Sequence, residues 1–126
     1  MDEEKSKDKR ATDRLNIPGA SLVFRKRNAL GVFELFPRPA QLFNFTKSGI
    51  CFQSEKKFRL GELIYVDISI PNEKPLRLVG EVRWIDDNIE NDTCTVGAQF
   101  SAFGKGRNYN PLRALEKLRR LQQKYT

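Results

Sequence analysis

The stretch Glu62-Leu63-Ile64-Tyr65-Val66-Asp67-Ile68-Ser69-Ile70 sets Ile64, Val66, Ile68 and Ile70 on one face, with Glu62 in phase with them, and Tyr65, Asp67 and Ser69 on the other. A period of two belongs to a β-strand, because successive side chains of an extended chain point to opposite sides. The same alternation continues downstream. In Leu76 to Ile85, Leu78, Gly80, Val82 and Trp84 alternate with Arg77, Val79, Glu81 and Arg83, so an inward Trp84 would leave Arg83 facing out. In Thr93 to Ser101, Cys94, Val96, Ala98 and Phe100 alternate with Thr95, Gly97 and Gln99. Pro71-Asn72-Glu73-Lys74-Pro75 and the segment from Asp86 to Asp92 join the three runs and are dense in turn formers, which predicts an antiparallel meander.

Upstream, Ala20 to Phe24, Gly31 to Phe36, Gln41 to Phe45 and Ile50 to Gln53 supply shorter strand candidates. Six or seven short strands in roughly 80 residues argue for a small closed barrel, which also removes exposed edges, with a two-sheet sandwich as the alternative. The chain ends differently. Asn110 suits an N-cap and Pro111 the first helical position, and the spacing predicts a helix over about 111–125. Ala114, Leu118, Leu121 and Tyr125 share one stripe, to pack on the barrel, and Arg113, Lys117, Arg120 and Lys124 form another, either a solvated face or a docking surface.

Composition narrows the function. At 126 residues there is room for one core, and 39% hydrophobic with 31% charged residues describes a folded soluble protein. The absence of histidine excludes Ser-His-Asp and Cys-His nucleophile pairs, imidazole metal sites and imidazole acid-base chemistry. Cys51 and Cys94 lie in apolar runs without metal-ligand spacing and are expected to be buried thiols. Residues 1–9 alternate charge and small polar groups and are expected to form a disordered tail, with a single domain over 10–126. With no signal peptide and no apolar run long enough to span a bilayer, the expected compartment is the cytoplasm. The net charge of +7 is uneven: residues 105–126 carry seven bases against Glu116 alone, while the first 14 carry five acids and five bases. A basic nucleic-acid-binding core is therefore not what the chain offers.

Two short elements carry binding chemistry. Arg10-Ala11-Thr12-Asp13-Arg14 sets two guanidiniums four apart; guanidinium is permanently charged, forks onto phosphate, pairs with the O6 and N7 edge of guanine and stacks on flat rings. In Asn44-Phe45-Thr46-Lys47-Ser48-Gly49, an extended chain turns Phe45 inward and points Asn44 and Thr46 outward together, and Gly49 permits a positive-φ turn or a close approach to the backbone.

In this order and separation the two elements resemble the PilZ family: a basic RxxxR, a [D/N]xSxxG motif some 30 residues on, a GELIYVDISI-like strand, then VRWI and TCTVGAQF with Trp84 and Gly97. The resemblance runs from Arg10 through the C-terminal helix. It implies an all-β fold with a C-terminal α-helix, a six-stranded antiparallel barrel, and a non-enzymatic receptor for cyclic di-GMP that passes its signal to a protein. It further implies that Arg10 and Arg14 grip phosphate and guanine, that Asn44 and Thr46 contact guanine, and that Gly49 closes the turn. Thr46 departs from the usual serine but keeps the hydroxyl. In this reading the ligand draws residues 9–18 onto the barrel and so changes the surface offered to the protein that listens. Two alternatives stand beside it: a ligand-free barrel of the same kind acting in protein interaction, and a small-barrel binder of single-stranded nucleic acid drawing on the basic C-terminal segment.

Overall fold

A computed structural model describes residues 14–28, 30–55 and 57–125. Six strands, β1 (Ser21–Lys26), β2 (Arg38–Phe45), β3 (Gly49–Ser54), β4 (Leu63–Ser69), β5 (Leu76–Asn88) and β6 (Thr93–Phe100), form a closed barrel in the order β1-β2-β3-β6-β5-β4. Every pairing in it is antiparallel, and β1 against β4 closes the ring. The expected barrel is therefore present, with the meander β4-β5-β6 inside it, and closure leaves no unpaired strand edge.

Alternation fills the interior. Leu22 and Phe24 of β1, Ile50 and Phe52 of β3, Ile64, Val66 and Ile68 of β4, Leu76, Leu78 and Val82 of β5 and Val96 and Phe100 of β6 are all buried. Phe24, Phe52 and Phe58 meet as a cluster of tilted and edge-on rings, with centroids 5.2 to 5.8 Å apart. Such geometry suits aromatic quadrupoles better than face-to-face stacking. At the chain end a two-stranded parallel pair, β7 (Phe103–Gly104) and β8 (Asn110–Pro111), leads into α1 (Leu112–Tyr125). Its Ala114, Leu118 and Leu121 join the barrel core, as the stripe predicts, while Tyr125 stays exposed. No helix among the described residues is long and apolar enough to cross a membrane.

Two local expectations fail for identifiable reasons. Gly31–Phe36 is a loop, tied to β1 by a bridge between Arg27 and Phe33. The Leu30 and Val32 N–H groups donate to Asn28 Oδ1, and Gly31 takes φ 81°, so the segment winds where its apolar residues suggested extension. Leu30, Val32, Leu35 and Phe36 stay exposed. Asn110 is no N-cap: its buried amide accepts from the Val79 N–H and donates to the Val79 and Ser101 carbonyls, and α1 begins two residues later. The side chain thereby serves backbone polar groups at the join between barrel and helix, one of which, the Val79 carbonyl, also accepts the Ser101 N–H.

Candidate functional site

The β2-β3 connection is made by Thr46. Its Oγ1 accepts the N–H groups of Ser48 (3.0 Å) and Gly49 (3.2 Å), while its own N–H donates to the Gly49 carbonyl (2.8 Å). A hydroxyl that accepts twice still has a proton to donate outward. Gly49 has a different role from the one its turn position suggested, for it is an extended residue of β3 outside the positive-φ set. A Cβ there would stand 2.5 Å from the Ala98 carbonyl oxygen, so glycine is required by the close approach of β3 to β6.

The chain entering the barrel is fastened next to this turn. Leu15 and Phe45 exchange backbone hydrogen bonds, Leu15 N–H to Phe45 O at 2.7 Å and Phe45 N–H to Leu15 O at 3.1 Å, and both side chains are buried, as is Ile17. In an antiparallel bridge of this register Arg14 lies level with Thr46. Two apolar anchors, Leu15 and Ile17, and the bridge to Phe45 hold residues 15–17 on the barrel. Arg10 lies outside the described residues, as does the segment 1–9.

Across the outer wall the register sets Asn44 opposite Cys51, Cys51 opposite Gly97, and Gly97 opposite Trp84. The row crosses β2, β3, β6 and β5, a width of roughly 14 Å at the usual strand spacing. Trp84 faces out and is 46% exposed, which corrects the inward position that strict alternation assigns. The register of β5 shifts between Val82 and Trp84, so Arg83 is an extra residue and the following side chains change face. Gly97 makes room for the indole: a Cβ there would lie 1.9 Å from Trp84 Nε1. A second shift, between Leu42 and Asn44, sets the phase of Asn44 in β2.

Arg14, Asn44, Thr46, Gly49, Cys51, Arg83 and Trp84 together line a groove of about 610 Å³. No carboxylate is among its described lining residues, and Arg83 is held by Glu81 at 3.2 Å from outside it. The Cys51 thiol is half-buried; burial pushes its pKa up, and the Arg14 charge pulls the other way. Fixed positive charge, an amide, a hydroxyl and an exposed indole face are the means of holding an anionic ligand with flat rings. Of the residues named from sequence, Arg14, Asn44, Thr46 and Gly49 are brought together here; Trp84 and Cys51 were not foreseen as groove residues.

A family model of the PilZ domain matches residues 8–115. No curated protein matches the chain. Among solved structures, the inhibitor of motility MotI/DgrA of Bacillus subtilis superposes with a TM-score of 0.62 at 14% identity over 88% of this chain and 48% of that one. The complex of K. pneumonia MrkH with c-di-GMP superposes with a TM-score of 0.61 at 9% identity, again over 88% of this chain and 48% of that one. The chain thus spans about half the length of each, and at such identities the likeness is one of fold.

Proposed function

The chain belongs to the PilZ domain family, and from that membership we propose that it is a receptor for cyclic di-GMP, bound in the groove at Arg14 and acting as an adaptor rather than an enzyme. The observation that carries the proposal is the gathering of Arg14, Asn44, Thr46 and Trp84 around one groove that no described carboxylate lines. The nucleotide brings two phosphates and two guanines. Arg14 supplies a fork for phosphate or for the O6 and N7 edge of guanine, Asn44 and Thr46 hydrogen-bond the base edge, and the indole of Trp84 offers a stacking platform. Gly49 serves indirectly, by letting β3 and β6 close so that the row across the wall keeps its spacing. The complex of MrkH with c-di-GMP, on a related fold, supports the same ligand class.

Arg10 completes the basic pair in this reading. Because Leu15 and Ile17 are already anchored, the ligand acts on the chain before Leu15, bringing Arg10 to the groove and altering the surface that a downstream protein meets. Titration calorimetry of the chain and its Arg14→Ala variant with cyclic di-GMP tests the assignment. Hydrogen bonds to a charged group contribute about 1.5 to 3 kcal/mol each, so the variant should bind tenfold or more weakly. Equal affinity in the two proteins would remove Arg14 from the site.

A further inference from the structure

A second groove, of about 500 Å³, lies between the first turns of α1 and the turn from β4 to β5, and shares no residue with the groove at Arg14. Lys74 and Arg77 line it from the barrel side, and Arg113, Lys117 and Arg120 from the helix. One carboxylate, Glu116, joins them. With Glu73 on Arg120 and Asp67 on Arg77, three carboxylates stand against the five cations, which keep an excess of two positive charges around this space.

Three of the five are also held in place. Lys117 Nζ donates to the Lys74 carbonyl, Arg120 pairs with Glu73 at 3.1 Å, and Arg77 pairs with Asp67 at 3.2 Å. Arg113 has no ion-pair partner among the described residues and is exposed. Cations fixed before binding lose little side-chain freedom when a ligand arrives. Burial lowers the Lys117 pKa, the Glu73 carboxylate opposes that, and the charges of Arg120 and Lys74 add to it.

We infer that this groove is a second ligand site, built for a compact group carrying two or more adjacent phosphates. A single carboxylate would offset one of the two excess charges, and an extended nucleic-acid strand would spread its phosphates beyond a cleft this small. A diphosphate or triphosphate brings two or more negative charges in compact form, and the guanidinium groups of Arg77, Arg113 and Arg120 suit phosphate oxygens. The inference is independent of the cyclic di-GMP reading.

Sodium tripolyphosphate and ATP are titrated separately into the labelled chain at fixed ionic strength, with sodium sulfate as the control, and amide shifts are followed. The site predicts saturable shifts in residues 74–77 and 113–120, produced by tripolyphosphate, absent with sulfate, and weakened at least tenfold by Arg113→Ala combined with Lys117→Ala. Equal response to ATP and tripolyphosphate would assign recognition to the phosphates; a stronger response to ATP would add the nucleoside to the ligand. Arg113→Ala alone touches no described ion pair and tests the site should the double variant lose its fold by circular dichroism; it should weaken binding at least threefold. Unsaturable shifts, shifts shared with sulfate, unchanged affinity in the variants, or a single-stranded oligonucleotide binding where tripolyphosphate does not, would each overturn the inference.

Discussion

Trp84 is the sole tryptophan of the chain and lies over Gly97 with its face exposed to the groove, so its fluorescence reports on the site without a label. Saturating cyclic di-GMP should change its emission, and Trp84→Ala should weaken binding by roughly tenfold, in keeping with base-aromatic stacking of about 1 to 3 kcal/mol; calorimetry checks the second. Cys51 gives an independent readout. Its thiol pKa is raised by burial against the pull of Arg14, so less thiolate is present at a given pH than in an unhindered thiol. Alkylation by iodoacetamide at pH 8 should therefore be slower than for a model thiol, and slower again with ligand bound; mass spectrometry of the Cys51 peptide measures both. The polar site residues were legible in the sequence because the spacing of Asn44, Phe45 and Thr46 fixes which side chains share a face. The role of Thr46 Oγ1 in tying down the Ser48 and Gly49 amides was not, since it depends on the turn conformation.

At the scale of the elements, strict alternation located five of the six barrel strands closely, because each has one buried and one outward face. It failed where a strand gains a residue. The shift at Arg83 reverses the phase of β5 and carries Trp84 to the outside, and nothing in a two-residue period records such an insertion. β2 was legible only in its second half, since Arg38–Ala40 offers no apolar alternation and the strand is defined by pairing with β1. The close contact of β3 with β6 yields a prediction. Gly49→Ala sets a methyl 2.5 Å from the Ala98 carbonyl, and should cost about 1 to 3 kcal/mol of stability by overpacking while weakening ligand binding, as read by urea unfolding and calorimetry. Leu118 of α1 is fully buried against the barrel; Leu118→Ala should lower stability by about 2 to 5 kcal/mol, whereas Arg119→Ala on the exposed side of α1 should change it little.

For the molecule as a whole, closure of the barrel brings the site together from distant parts of the sequence. Asn44 and Trp84 stand at the two ends of one row across the wall because β3 pairs with β6 instead of with β4, a nonlocal choice that turn chemistry alone does not dictate. The entering chain is fixed by Leu15 against Phe45, which sets Arg14 beside Thr46. The most direct test of cyclic di-GMP recognition is chemical-shift mapping of the full chain with that nucleotide at tens of micromolar. The account predicts saturable shifts of the Arg14, Asn44, Thr46, Gly49, Cys51 and Gly97 amides and the Trp84 indole. No shifts, or shifts confined to other faces of the barrel, would contradict it.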